Sequence, residues 1–193
     1  ESENSNEDEE IKFIGTTSFN LVWEKVCAIV LENSLDKKLK DLGLGTTNHT
    51  ESKTLKEVIA KPEWSVINSE KKHKSDKTLI SDLVVYSQED KSISIYDAKY
   101  YNIMFTEEEL RGYPGVQDVS KQYLYELAYK NFIQENGLKM KENAFIMPTD
   151  NEIEEELEEI GEIKFEIFKS MDLQDIKVKL ASATKMYEKY LKK

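Results

Sequence analysis

Two aspartates and a lysine are spaced in a way that suits metal-dependent cleavage of a phosphodiester bond. Asp82 lies in one apolar segment of the chain, and Asp97 and Lys99 lie at the end of the next one. Two carboxylates can hold a divalent cation against a phosphate through oxygen ligands, and a nearby ammonium group can orient or activate a water. The pattern therefore predicts a nuclease site, with DNA as the expected substrate.

The surroundings of Asp97 distinguish it from other acid-x-lysine triplets. In a chain with 34% charged residues such triplets arise by chance, and others begin at Glu10, Asp36, Glu51, Glu70, Glu89, Glu162 and Asp175. Residues 92–96 alternate between polar and apolar side chains, which predicts a strand. Asp97 and Lys99 continue the apolar stripe of that strand. Charges facing a core are costly unless they are paired or bind a metal.

Glu162 begins the nearest rival triplet, because residues 162–169 also alternate. There, however, Glu162 and Lys164 share a polar face opposite the apolar side chains. This pattern predicts an ordinary solvated strand.

The segment 79–86 is predicted to be the partner strand of the Asp97 segment. The polar connector 87–91 is short enough for a β-hairpin, so the two strands should pair antiparallel. This pairing places Asp82 roughly opposite Asp97, within reach of one cation. The alternative interpretation is a pair of edge-strand acids that Lys99 neutralises.

The order Asp82, then Asp97-Ala98-Lys99, resembles the PD-(D/E)XK nuclease superfamily, with Ser81 where proline is usual. The blocks around these residues narrow the resemblance to the LlaJI-type restriction endonuclease family. The most specific of them are DAKYY at 97–101 and PGxxDVxKQYLY at 114–125. The other blocks are 18–27 and 61–64, and all lie in the family's order between about 13 and 148.

The resemblance implies an α/β fold with the superfamily's core, a central mixed β-sheet flanked by helices. It also implies a Mg²⁺ site, with Mn²⁺ as a substitute, formed by Asp82, Asp97 and the backbone carbonyl of Ala98. Lys99 would orient or deprotonate the attacking water and stabilise the developing charge. The expected products carry a 5′-phosphate and a 3′-hydroxyl.

Two further residues are candidates through the resemblance. Glu24 on the predicted first helix would approach the metal, in some relatives through a water, and Gln122 on the second long helix would help to hold the attacking water or the phosphate. Asp118, Gln122 and Tyr125 share one face of that helix, and Asp118 suits its N-terminus. The alternatives are a surface glutamate paired with lysines for Glu24, and a polar residue bonded within its helix for Gln122.

The predicted organisation is an acidic disordered tail at 1–12 and a single nuclease domain at 13–193. Its core covers about 16–148, with an appended strand and helix at 161–193. The predicted elements are helix 18–33, a short helix near 55–60, strands 64–68, 79–86, 92–97, 143–147 and 162–169, helix 116–134 and a last helix from Asp172 to about 191. Residues 71–77 form a lysine-rich loop that could contact phosphates.

The net charge of −11 bears on how the chain would bind DNA. Residues 1–10 and 150–160 contain thirteen acids and no lysine or arginine, which leaves 25 acids against 27 bases elsewhere. The remainder is nearly neutral and lacks the strongly basic surface of an autonomous DNA binder. Other domains or subunits are therefore expected to supply much of the DNA affinity.

The expected location is the cytoplasm, and no membrane association is expected. Cys27 is the only cysteine, which fits a reducing compartment, and no signal peptide or long apolar run is present. The chain begins with an acidic stretch and without methionine, so it is expected to be a piece of a longer protein.

The expected partners also follow from the resemblance. Such nucleases act on double-stranded DNA with an AAA+ GTPase of the McrB type, and a homodimer would supply two sites for two strands. Two alternatives remain open at this point. One is a repair or junction nuclease on the same core, and the other is a catalytically silent nuclease-like assembly module.

Overall fold

The computed structural model describes residues 18–45 and 52–193, and the predicted tail at 1–12 lies outside these residues. The α-helices are α1 (Phe19–Val30), α2 (Val116–Glu135) and α3 (Ala183–Lys192). The strands are β1 (Glu63–Ser65), β2 (Lys72–Lys74), β3 (Leu83–Ser87), β4 (Ser92–Ala98), β5 (Met104–Phe105), β6 (Leu110–Arg111), β7 (Lys139–Thr149), β8 (Glu158–Ile163) and β9 (Ile176–Ser182). Short 3-10 helices cover Leu39–Leu42, Leu55–Val58 and Glu166–Met171.

A five-stranded mixed sheet forms the centre of the molecule, in the order β3-β4-β7-β9-β8. β3 and β4 form the predicted antiparallel hairpin, whereas β4, β7 and β9 run parallel, and β8 is antiparallel to β9. The predicted α/β architecture with a mixed sheet between helices is therefore confirmed.

The helices cover both faces of this sheet. On one face α1 packs with Trp23 and Val26 against a cluster that includes Leu83 of β3 and Tyr96 of β4. The opposite face packs against α2, whose Tyr125, Tyr129 and Phe132 contact the cluster of Val84, Ile93 and Ile95. Successive strand residues face opposite sides of a sheet, so β4 serves both cores. All seven of its residues are buried.

The prediction of one long helix after Asp172 was wrong. Residues 176–182 form β9, which lies inside the sheet between β7 and β8, and only Ala183–Lys192 is helical. Ile176 and Leu180 have helical spacing, but Ile176 and Val178 also alternate with Lys177 and Lys179. The β-branched residues are fully buried in the sheet, and the lysines pair with glutamates of neighbouring strands.

Three smaller predictions also need correction. The strand expected at 162–169 ends at Ile163 and is followed by a 3-10 helix. The basic loop at 71–77 contains β2, which pairs with β1 in a separate two-stranded sheet. The strand predicted at 79–86 begins only at Leu83.

Within the described residues, no helix has both the length and the apolar character needed to cross a membrane.

Candidate active site

Asp82 and Asp97 lie side by side at the end of the β3–β4 hairpin. Leu83 pairs with Tyr96, so the register places Asp82 opposite Asp97, as predicted. The two carboxyl groups are hydrogen-bonded, and the backbone amide of Ala98 donates to Asp82 Oδ2 at 2.9 Å. Asp97 is only 4% exposed. The hairpin thus brings the half-buried Asp82 next to the buried Asp97.

The electrostatic environment of this acid pair favours a bound cation. Burial raises the pKa of Asp82 to about 8, and the hydrogen bond and charge of Asp97 act in the same direction. Glu24 adds a further negative charge, while the bond from the Ala98 amide opposes the shift. Two like charges this close cannot both ionise without cost, and a cation between them would remove that cost.

Lys99 connects the acid pair to α2. Its Nζ lies 3.1 Å from Asp97 Oδ2 and 3.0 Å from Asp118 Oδ1. Burial disfavours the charged form of Lys99, but the two aspartates outweigh it and raise the pKa of the ammonium above its usual value. The first turn of α2 places Asp118 here. The sequence analysis placed Asp118 on the right helical face and did not identify its pairing with Lys99.

Gln122 lies one turn further along α2 and is fully buried. Its Nε2 donates to the carbonyl oxygens of Ile95 and Ala144, each at 3.3 Å, and so links β4 to β7 beneath the site. Its Oε1 is buried and has no hydrogen-bond partner among the described residues. The predicted role of Gln122 in holding the attacking water stays a prediction, and Oε1 is the atom left available for it.

Tyr125 is a site neighbour to which the sequence analysis gave no role. Burial raises the pKa of its hydroxyl to about 12, with the charges of Asp97 and Asp82 acting in the same direction. Its phenol therefore lies within electrostatic range of both acids. The spacing of Asp118, Gln122 and Tyr125 on one helical face was the signal that could have found it.

Glu24 reaches the same end of the sheet from α1. It is half-buried, and burial followed by the charge of Asp97 raises its pKa, with Lys99 opposing the shift. The preceding residue anchors the helix, since Trp23 Nε1 donates to the carbonyl of Ile146 in β7 at 3.2 Å. Glu24 thus adds negative charge around the acid pair.

The residues present fit a hard divalent cation that keeps much of its own water. In the described part of the chain, no three histidine, cysteine, aspartate or glutamate side chains form a metal-binding group. A cation at this position would have the carboxylates of Asp82 and Asp97 beside it. Mg²⁺ commonly binds through one or two carboxylates, with waters and substrate phosphates filling the other positions.

The rival triplet is solvated, as predicted, although β8 ends at Ile163 and Lys164 lies just beyond it. Lys164 Nζ pairs with Glu162 Oε1 at 2.7 Å and with Asp175 at 3.7 Å. Both partners of the Glu162–Lys164 pair are largely exposed, and β8 is an edge strand. Nothing in this arrangement concentrates charge of one sign.

Comparisons with known proteins bear on the family of the chain. The sequence model of the LlaJI restriction endonuclease family matches residues 1–183. The chain is 30% identical over 183 residues to the Type II restriction enzyme BsuMI component YdjA of Bacillus subtilis (strain 168). That alignment covers 94% of this chain and 34% of the relative, so the chain spans about a third of the relative's length. No solved structure matches. The extent of the family match shows that this chain belongs to the LlaJI restriction endonuclease family.

Proposed function

We propose that this chain is the nuclease domain of a restriction system and hydrolyses phosphodiester bonds of double-stranded DNA with Mg²⁺, or with Mn²⁺ in its place. The observation that carries the proposal is the hydrogen-bonded pair of Asp82, which is half-buried, and Asp97, which is buried, with the ammonium of Lys99 beside it. The restriction endonuclease family to which the chain belongs supports the same chemistry.

The ligands for the cation would be Asp82, Asp97 and the backbone carbonyl of Ala98. These are oxygen donors, which a hard cation prefers. When bound, the cation would polarise a phosphate oxygen and lower the pKa of a bound water. The backbone amide of Ala98 already fixes one carboxylate oxygen of Asp82, so that the pair is oriented before the cation arrives.

Lys99 would act as a cation that positions the water and stabilises the charge that develops on the phosphate. Its two ion pairs, with Asp97 and Asp118, hold its Nζ next to the acid pair. The water oxygen forms a bond to phosphorus as the bond from phosphorus to the 3′-oxygen breaks. The products are a 5′-phosphate and, after protonation of the leaving oxygen, a 3′-hydroxyl.

Glu24 and Gln122 would support this centre from the two flanking helices. We assign Glu24, which is half-buried on α1, to contact with the cation through a water. Gln122 would hold β4 and β7 together beneath Asp97, with Oε1 as the atom that reaches a water.

We also propose that the fold is the PD-(D/E)XK core. The support is the hairpin carrying the two acids, its parallel pairing with β7, and helices on both faces. Asp82, directly before β3, and Asp97-Ala98-Lys99, at the end of β4, would then correspond to the motif of the superfamily.

The proposed partner is a GTPase motor of the McrB type, with DNA as the substrate and a homodimer for cleavage of both strands. The relative from B. subtilis is named as a component of a restriction enzyme, and this chain spans about a third of its length. Parts outside this chain would then recognise the DNA.

The proposal is tested by incubating the purified chain with supercoiled plasmid and with labelled duplex, single-stranded and branched DNA. Each substrate is assayed with Mg²⁺, with Mn²⁺ and with EDTA. We expect metal-dependent cleavage of duplex DNA with 5′-phosphate ends. A preference for branched DNA would instead indicate a junction nuclease, and no cleavage with either metal would contradict the proposal for this chain.

Binding of the metal is tested separately by calorimetric titration with Mn²⁺, comparing the parent with Asp82→Ala. We expect heat of binding only for the parent. Equal binding by both proteins would exclude the acid pair as the cation site.

A further inference from the structure

The segment that leads into Asp82 projects from the body of the protein as a two-stranded hairpin. β1 and β2 pair through Glu63–Lys74, Trp64–His73 and Ser65–Lys72. Every residue from 60 to 74 is exposed, and the hairpin contributes no side chain to the hydrophobic clusters of the described residues. A two-stranded hairpin that packs on nothing is marginally stable in water, so a partner is needed to explain its sequence.

The tip of the hairpin carries two exposed apolar side chains, Val66 and Ile67. Ile67 is 88% exposed and Val66 is 70% exposed, and Trp64 at the base of the ribbon is 69% exposed. Only its indole nitrogen is engaged, through a 2.8 Å hydrogen bond to Ser75 Oγ. Exposing large apolar side chains forfeits the free energy that burial would supply, which is typical of contact surfaces.

The flanks of the hairpin are basic, in contrast to the rest of the chain. Residues 61–77 contain five lysines and three acids, although the whole chain has a net charge of −11. Lys72 pairs with Glu63 at 2.7 Å. Lys61, Lys71 and Lys77 have no carboxylate within ion-pair distance in the described part of the molecule. These lysines therefore remain available to an anionic partner.

The hairpin is joined to the acid pair by a short stretch of chain. Seven residues connect Lys74 to Asp82, a span of at most about 29 Å. Lys139, by contrast, pairs with Ser92 at the start of β4, which is the opposite end of the strand from Asp97.

We propose that this hairpin is a DNA-contacting arm that enters a groove of the duplex to be cut. The lysines of its flanks contact phosphates, and Val66 and Ile67 press against the bases or sugars of the groove. A two-stranded ribbon fits the major groove, and apolar side chains of DNA-bending proteins insert between base steps in the minor groove. The proposal rests on the proposed function, since it assumes that duplex DNA is the substrate at Asp97.

The two tryptophans of the chain allow a direct test of contact. Trp64 is exposed, whereas Trp23 is fully buried. We expect a random-sequence duplex of about 30 base pairs, added in EDTA, to protect the emission of the parent from acrylamide quenching. In a Trp64→Phe variant, which retains only Trp23, the duplex should leave quenching unchanged. No protection of Trp64 up to about 100 µM duplex, the weak limit of ordinary non-specific binding, would overturn the proposal.

Substitutions then separate the apolar and basic contributions, with duplex affinity measured by fluorescence anisotropy in EDTA. We expect the double variant Val66→Ser, Ile67→Ser to weaken binding at least about tenfold. Leu191→Ser, which changes an apolar residue that is 81% exposed on α3, is the matched control and should stay within about twofold. An equal loss in both would overturn the assignment of the tip.

The basic flank is measured by the salt dependence of the same affinity. The double variant Lys71→Gln, Lys74→Gln should reduce the slope of log affinity against log salt by about 2, since each phosphate contact contributes about 0.9. Lys139→Gln with Lys141→Gln, at the opposite end of the sheet, should leave the slope unchanged. Equal slopes for the two double variants would overturn the phosphate contacts and point to a protein partner for the hairpin.

The experiments distinguish an error in the proposed DNA-contacting arm from an error in the proposed nuclease function. Cleavage of duplex DNA by the parent, with hairpin variants that bind and cut like the parent, would reject the arm alone. Hairpin-dependent DNA binding without cleavage in Mg²⁺ or Mn²⁺ would reject the nuclease assignment and keep the arm.

Discussion

Two acid-x-lysine triplets in the same sheet have opposite characters. The Asp97–Lys99 and Glu162–Lys164 pairs have similar separations, 3.1 Å and 2.7 Å. The side chain of Asp97, however, is 6% exposed on a central strand, whereas that of Glu162 is 40% exposed on an edge strand. The same tripeptide pattern thus gives a buried site in one strand and a solvated ion pair in another.

The surroundings of the two triplets explain the difference. Asp97 faces a second acid, Asp82, and its lysine is shared with Asp118. Glu162 faces a second lysine, Lys177, so its charge is balanced. An exposed and balanced pair contributes little to stability, whereas a buried excess of negative charge is costly unless a cation compensates it. The excess of negative charge around Asp97, rather than the tripeptide itself, is the feature that indicates function.

The largest expected difference in cleavage activity lies between variants of Asp97 and Glu162, the acids of the two triplets. Asp97→Ala should abolish cleavage of plasmid DNA in Mg²⁺, because the cation loses one of its two carboxylates. Glu162→Ala should cut like the parent. Circular dichroism of both variants checks that each remains folded. If Asp97→Ala still cuts at more than a few per cent of the parent rate, the proposed role of Asp97 is contradicted.

A smaller loss of cleavage activity is expected for a variant of Lys99, and Lys164 provides the matched control. Lys99→Met should reduce the single-turnover cleavage rate by about 10²–10⁴, the range typical of a positioned acid, base or charge. Lys164→Met should have no measurable effect, since its ammonium is 61% exposed. Rates are compared per folded molecule, because loss of Lys99 also leaves buried carboxylates unpaired. Similar rates for the two variants would contradict the role given to Lys99.

The second ion-pair partners of Lys99 and Lys164, which are Asp118 and Asp175, provide a third matched pair of variants. Asp118→Asn should slow cleavage by about 10–100-fold, because Lys99 loses the group that orients it. Asp175→Asn, which removes the equivalent partner of Lys164, should have no effect. If Asp118 only positions Lys99, the cleavage rate should fall in Asp118→Asn. The affinity for Mn²⁺, measured by calorimetry, should stay almost unchanged. A loss of metal affinity in Asp118→Asn would instead make Asp118 part of the cation site.

The smallest effect concerns stability as a function of pH, measured as the melting temperature in EDTA. The pKa of Asp82 is raised in the folded protein, so ionisation of this group destabilises the fold progressively from about pH 4 to about pH 8. Asp82→Asn removes this group and should raise the melting temperature relative to the parent by an amount that grows over that range.

Glu162→Gln should behave in the opposite way. The hydrogen bond to Lys164 lowers the pKa of Glu162, so its carboxylate stabilises the fold above its ordinary titration range, and this contribution is lost as the pH falls. The variant should therefore be slightly less stable than the parent at pH 7 and equal to it in acid. A pH-independent difference between Asp82→Asn and the parent would contradict the buried acid pair.

The hairpin that carries the acids could be predicted because it is local in sequence. The alternating side chains of residues 92–96 and a short polar connector fix its register, and the register places Asp82 opposite Asp97. The face of α2 that carries Asp118, Gln122 and Tyr125 was predictable for the same reason, since it depends on side chains a few positions apart. The error at residues 176–182 arose where helical and strand periodicities both fit the apolar positions.

The sequence by itself determined the residue types of the site, the antiparallel hairpin that joins its two acids, and the family to which the chain belongs. Only the tertiary structure decided that Asp118 would hold Lys99, that Gln122 would tie β4 to β7, and that β9 would enter the sheet. The physical reason is that these contacts join segments whose approach depends on packing of the whole sheet and its helices. Periodicity within one segment carries no information about which distant segment will cover it.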